Sequence, residues 1–323
     1  MTRAERTYLV PATILIALLC RILSYAWGLS ADISPSGDSF SFFGTIPSLW
    51  QSMGSFAIGL IGSFIAVRFS AFYLLLHEGG LKLFAFLMIL LLNTHQAFFS
   101  IQPYSLSILL FVALFFCLFG TYGHSNIPRK TLNVGFCIGL SAVLWSPSLL
   151  LVPFMLIQLY PMKSLSFKNL LAFFFGLFLP LWCCLPLFLL FGEEQYIIDN
   201  LNLLSQWGFS YPTSHVSAWK WLYPSLLLAL YLISFVYLQL TYTREKVIAR
   251  IYFFSLLCAG CYMLLLSAVM PAASDGFLYL ATFPISVHGA RFLYSQSRRP
   301  ANILISLILL AFPISLFVSS FFL

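Results

Sequence analysis

Residues 132–160 run LNVGFCIGLSAVLWSPSLLLVPFMLIQLY, and the way this stretch crosses a membrane decides the fold. As one straight helix it would be about 43 Å long, against a hydrocarbon core of about 30 Å. Ser146-Pro147 stands at its middle, and the residue before a proline is pushed out of the helical region. The stretch therefore predicts two half-length helices, each roughly 21 Å, meeting at Trp145-Ser146-Pro147. Neither spans alone, so the tip must be buried in protein or line a wet cavity. Trp145 is expected to line that cavity.

The rest of the chain sets the same context. Of 323 residues only 16 are Lys or Arg and 9 Asp or Glu, so 8% are charged, where a soluble chain carries about 25%. Apolar residues make up 61%, and 35 are Phe. This excludes a soluble enzyme, a disordered tail and a secreted disulfide scaffold. Continuous apolar runs without period-two alternation exclude a β-barrel. The fold class is all-α, a polytopic integral membrane protein, with residues 1–323 forming a single transmembrane domain. The net charge of +7 lies in short clusters between apolar runs and makes no basic face, so nucleic acid is not an expected partner. The first apolar run lacks a small-x-small cleavage site and is expected to remain as a span.

Spans are predicted at about Tyr8–Gly28, Met53–Leu75, Leu83–Phe98 and Tyr104–Tyr122, followed by the hairpin of 132–160. Others follow at about Phe167–Phe191, Leu222–Tyr242, Ile251–Met270, Phe277–Phe292 and Asn302–Phe322. Two polar loops stand out, a first outer loop at 30–50 and an outer amphipathic loop at 192–219. In the second, Ile197, Leu201 and Leu204 recur at i, i+4, i+7, which predicts a surface helix seated on that stripe. Counting 132–160 as a hairpin gathers fourteen of the sixteen cations on one side, from Arg3 and Arg6 to Arg298 and Arg299. Only Arg21 and Lys220 fall elsewhere. Counted as a single span, the same stretch would throw every later cluster to the other side. The positive-inside rule thus favours the hairpin, with about eleven membrane segments, the N-terminus cytoplasmic and the C-terminus outside. The expected location is the cell inner (cytoplasmic) membrane.

Chemistry is sparse. Asp32, Asp38, Glu193, Glu194, Asp199 and Asp275 fall on the outer side; each taken alone is an ordinary solvated loop acid. Arg21 lies within the first span, where charge is expensive and usually functional. It either snorkels to the headgroups or clamps a lipid phosphate through its planar fork. His95, His215 and Lys220 join it as candidate phosphate-binding groups on the outer side. His77, His124 and His288 fall near the cytoplasmic face and are assigned no role. Cys258 and Cys261 form a CxxC without a nearby His or acid, where cysteine behaves as a small hydrophobe. No metal-binding or nucleotide-binding motif occurs. No cofactor is implied; a divalent ion carried by a lipid phosphate to Asp32 and Asp38 is conceivable but not indicated.

The organisation resembles the GT-C superfamily of membrane glycosyltransferases. The resemblance covers roughly residues 8 to 215. Arg21 closes the first span ahead of a loop bearing Asp32 and Asp38. A later span opens with Pro103-Tyr104-Ser105. A Gly-x-x-x-Gly-Leu segment, Gly135 to Leu140, runs to Ser146-Pro147, and Leu179 to Trp182 supply Leu-Pro-Leu-Trp. The chain departs from those enzymes in carrying Trp145 where they usually have Lys, single acids where they often have Asp-Glu, and a shorter length. It is also similar to an uncharacterised family of Bacteroidota multi-pass membrane proteins.

The resemblance implies transfer of a sugar from a polyprenyl-phosphate donor outside the cytoplasm. Arg21 would then hold the lipid phosphate. Asp38 would be the base and Asp32 the runner-up, because Asp38 precedes the amphipathic run Ser39 to Phe43 that can dock on the membrane face. A non-catalytic scaffold or lipid-handling subunit of an envelope complex is the alternative. A transporter ranks third, since no internal repeat is found.

The topology is checked by single cysteines in a background without native ones. Ser36→Cys, Ser100→Cys and Ser214→Cys should react with an impermeant thiol reagent added to intact cells, and Ser125→Cys and Ser297→Cys should not. Labelling at position 125 would overturn the side assignment.

Overall fold

In lipid a backbone amide has no partner but another backbone group, and apolar runs of this kind settle as helices. The computed structural model describes residues 5–26, 47–123, 127–190, 194–206, 221–241 and 246–321, and no strand occurs among them. The helices are α1 (Glu5–Ala26), α2 (Ser48–Phe72), α3 (Glu78–Leu92), α4 (Pro103–Phe119), α5 (Pro128–Leu144) and α6 (Leu151–Gln158). They continue as α7 (Phe167–Leu190), α8 (Glu194–Ser205), α9 (Leu222–Thr241), α10 (Val247–Val269), α11 (Ser274–Ser295) and α12 (Arg298–Phe321).

Six of these, α1, α2, α7, α9, α10 and α12, are long and apolar enough to cross a membrane. The class expected from the sequence is therefore met, and the count of about eleven segments is not confirmed. The helices outside the six include α3 and α4, which are shorter, and α11, which is enclosed. Every residue of α11 from Gly276 to Arg291 is buried, and α3, α4, α9 and α10 pack around it. A helix covered on all sides is a core helix, and this one holds Thr282, Ser286, His288 and Arg291 inside the bundle.

Side-chain contacts sort the helix termini into two ends. At one end Tyr73 and Tyr252 donate to the carbonyls of Phe116 (2.6 Å) and Phe119 (3.1 Å), and the Phe119 and Tyr252 rings stack at 4.2 Å. Lys130 Nζ donates to Gly120 O at 2.6 Å beside them. At the other end Tyr223 donates to Leu91 O and Tyr104 to Ala97 O, both at 2.9 Å. The first is the basic end. The second carries Asp275 and is called the acid end below.

The 132–160 stretch is broken as its proline predicts. Trp145 is extended (φ −151°, ψ 100°), and a short 3-10 turn, Ser146–Leu150, leads into α6. Both ends of the stretch lie at the basic end. Lys130 holds the start of α5 there. The return is fixed by Gly123 N donating to Met162 O at 3.1 Å and Thr121 Oγ1 to Ser164 Oγ at 3.2 Å. The chain rises to Trp145 and comes back, as the charge distribution requires.

The helix pairing of α5 with α7 supports this return, because the two run parallel. Gly135 faces the backbone of Phe173 and Leu177, Gly139 that of Leu177, and Gly176 that of Leu132 and Phe136. Any methyl group at these three positions would collide with a facing carbonyl oxygen. Small residues let membrane helices approach backbone to backbone, where weak Cα–H···O contacts add to the packing.

Elsewhere in a helix, Gly→Ala stabilises by about 1 kcal/mol. Here the sign should invert. Gly135→Ala and Gly176→Ala should lose roughly 1–3 kcal/mol through overpacking. Gly59→Ala, whose nearest neighbour would lie at 3.8 Å, should be neutral or stabilising. Thermal unfolding in one detergent compares the three.

Candidate functional site

The break frees backbone groups at the acid end, and α8 supplies their partners. Ser146 N donates to Asn200 Oδ1 at 2.8 Å, Ser146 Oγ to the Asn200 carbonyl, and Tyr196 OH to the Leu144 carbonyl. Tyr196, Asn200 and Leu203 are the buried face of α8. The stripe expected from the sequence, Ile197, Leu201 and Leu204, is rotated off that face. Leu201 is exposed and the other two are half-buried. The protein contact of α8 is made by a tyrosine, an asparagine and a leucine, which apolar periodicity does not pick out.

Trp145 is buried, with its indole over Gly276 and its ring 4.9 Å from that of Phe277 and 6.1 Å from that of Tyr104. These neighbours are aromatic rings and a glycine rather than the polar cavity wall expected. From Tyr104 an aromatic wall continues to Tyr279 (5.7 Å), Phe98 (4.7 Å from Tyr279) and Tyr223 (5.9 Å from Phe98). His95 closes the wall, 4.4 Å from Tyr223 and 4.7 Å from Phe98, ring to ring. His95 Nδ1 is closed off from solvent without a hydrogen-bond partner. Asp275, half-buried in the first turn of α11, acts electrostatically on His95, Tyr104 and Tyr223.

Arg21 lies at the same end, 2% exposed, but it does not reach for headgroups. Its Nε and Nη2 donate to Asn93 Oδ1 at 3.2 and 2.9 Å, and Nη2 also donates to Phe98 O at 3.3 Å. Nη1 donates to the Ser52 carbonyl and, at 3.4 Å, to Ser52 Oγ. The guanidinium lies 4.8 Å from the Phe99 ring centroid and 5.4 Å from that of Phe56. Five N–H donors thus meet acceptors supplied by α2 and the end of α3. Asn93 is itself held by Nδ2 donating to Ile89 O at 2.7 Å.

The structure brings Arg21, His95 and Trp145 to one end. Asp32, Asp38, His215 and Lys220 lie outside the described residues. Sequence reasoning passed over Asp275, Asn93 and Asn200. Asp275 resembled a loop acid, though its place just before a span was a usable signal. Asn93 ends an apolar run, and polar residues in such runs are usually functional or structural hydrogen-bonding groups. Among the described residues no group of three or more His, Cys, Asp or Glu could hold a metal ion.

Fold and site define a multi-pass helical membrane protein. A family model matches residues 43–322, and the chain belongs to that family, described as a family of unknown function (DUF6427). No curated protein and no solved structure matches it.

The Arg21–Asn93 pair makes a sharp prediction. Asn93→Leu takes the Nε and one Nη2 acceptor from a buried guanidinium, which costs about 1.5–3 kcal/mol. Arg21→Met combined with Asn93→Leu removes both partners and should recover much of that loss. A thermal-unfolding double-mutant cycle reads the coupling, and additive losses would refute the pair.

Proposed function

We propose that this protein transfers a sugar from a polyprenyl-phosphate donor at the extracytoplasmic face, in the manner of the GT-C enzymes it resembles. The acid end is then the outer end, with about eleven membrane segments in the cytoplasmic membrane and the N-terminus inside. One observation carries the proposal: a proline-broken helix whose capped tip converges with His95, Asp275 and a continuous aromatic wall. The described residues that flank segments 27–46 and 207–220 lie at this end, Arg21 and Ser52 about the first and Asn200 and Tyr223 about the second, which supports the acids and cations of those segments serving the same site.

In this reading an acceptor hydroxyl attacks the anomeric carbon of the donor and the bond from that carbon to the phosphate oxygen breaks. The hydroxyl proton passes to Asp38, with Asp32 the runner-up, and polyprenyl phosphate leaves. Proton removal by a placed carboxylate is general-base catalysis. A cation near the departing phosphate stabilises the charge that develops there. Arg21 is a poor clamp, because protein oxygens already meet its donors. Lys220, His215 and His95 take that role.

The same Arg21 observation favours a second reading, a non-catalytic lipid-handling or scaffold subunit in which the buried guanidinium only ties α1 to α2 and α3.

Native mass spectrometry of gently extracted protein separates the two. A co-purifying glycosylated polyprenyl phosphate supports transfer, and bulk phospholipid alone supports the scaffold. In a deletion strain Asp38→Asn should lower transfer by about 10²–10⁴-fold at normal expression, and wild-type function would overturn the catalytic assignment.

A further inference from the structure

Helix α8 has three faces rather than two. Tyr196, Asn200 and Leu203 are buried against the broken helix. Gln195, Asp199 and Asn202 form a polar face, on which Gln195 Nε2 donates to Asp199 Oδ1 at 2.9 Å. Between them, Leu201 is 51% exposed, flanked by Ile197 and Leu204, which are half-buried. At 100° per residue Ile197, Leu201 and Leu204 fall within about 60° of one another and share one flank, and Ile198 and Ser205 lie together where that flank meets the polar face.

We infer that α8 is an in-plane membrane anchor. Its Ile197, Leu201 and Leu204 flank enters the headgroup–acyl boundary of the leaflet at the acid end, while its Tyr196, Asn200 and Leu203 face holds the broken helix. The position of α8 leaves it little choice. Residues 167–184 of α7 are a membrane span, and α7 continues to Leu190, carrying Trp182 outward at 81% exposure. Three residues separate α7 from α8, a reach of about 10–14 Å. The buried flank is then fixed on Leu144 and Ser146. A helix tied at both points to membrane-embedded structure lies at the boundary, and its exposed apolar flank continues the lipid-facing surface of α7.

The partner is a neutral or zwitterionic lipid surface. The helix sequence EQYIIDNLNLLS has two acids and no cation, so attraction to anionic headgroups is absent and apolar burial drives the seating. The anchor does not depend on the transfer reaction and holds equally for the scaffold reading.

The test uses the full chain, with its seven native cysteines replaced, in phosphatidylcholine nanodiscs. Nitroxides are placed singly at Ile197→Cys, Leu201→Cys, Asn202→Cys and Gln195→Cys. Power saturation compares oxygen, which concentrates in lipid, with a water-soluble nickel chelate. The oxygen-to-nickel contrast should change sign between the first two sites and the last two, and should not deepen when part of the lipid is phosphatidylglycerol. Equal nickel access at all four sites would overturn the anchor. Shielding of positions 197 and 201 from both reagents would overturn it too, by showing a protein partner on that flank. A contrast seen only with phosphatidylglycerol would overturn the lipid assignment.

Discussion

A helix broken inside a bilayer must find hydrogen-bond partners for the groups it frees, because lipid offers none. That constraint is concentrated at Trp145-Ser146-Pro147. Pro147 has no N–H to give and its ring opposes continuation of α5. The freed Leu144 carbonyl and Ser146 amide and hydroxyl are taken up by Tyr196 and Asn200. The break thus depends on a helix about fifty residues further along the chain. Because the break turns the chain back, it also sets the direction of α7. Parallel α5 and α7 can then close to backbone contact through Gly135, Gly139 and Gly176.

Arg21 solves a related problem. A charge in a bundle needs partners, and removing one of them from a buried pair is more destructive than never having the pair. Here the partners are neutral oxygens and two aromatic faces. Three elements that adjoin in sequence, α1, α2 and the end of α3, are tied to one guanidinium. This arrangement uses the fixed fork of arginine, which lysine lacks. The intramembrane charge that suggests a ligand site from sequence is, in the folded chain, a strut.

Much of the fold was legible because few residues decide it. Scarce Lys and Arg made loop parity informative, and one proline marked the break. What stayed hidden depended on long-range pairing. Arg21 was visible as an anomaly, but its partner lies 72 residues away, and no local pattern points to Asn93. The face of α8 that docks on the broken helix stayed hidden because Tyr196 and Asn200 bind it by hydrogen bonds, which hydropathy does not register. At the site, His95 and Trp145 were legible by position, whereas Asp275 was hidden among ordinary loop acids.

The difference between the expected and observed number of spanning helices has the same origin. Hydropathy measures how well a helix suits lipid, and α11 meets protein from Gly276 to Arg291. It can therefore carry His288 and Arg291, the latter lying 4.0 Å over the Phe253 ring, without presenting them to hydrocarbon. Helices α3, α4, α9 and α10 enclose it, of which α9 and α10 are long and apolar enough to face lipid, and this central helix is free to be polar. Asp275 in its first turn is in that position, half-buried at the acid end. An acid on a lipid-facing helix would have to reach water or be neutralised. An acid at the end of an enclosed helix, with Gly276 letting the Trp145 indole close over the next turn, is held against protein instead of being presented to hydrocarbon.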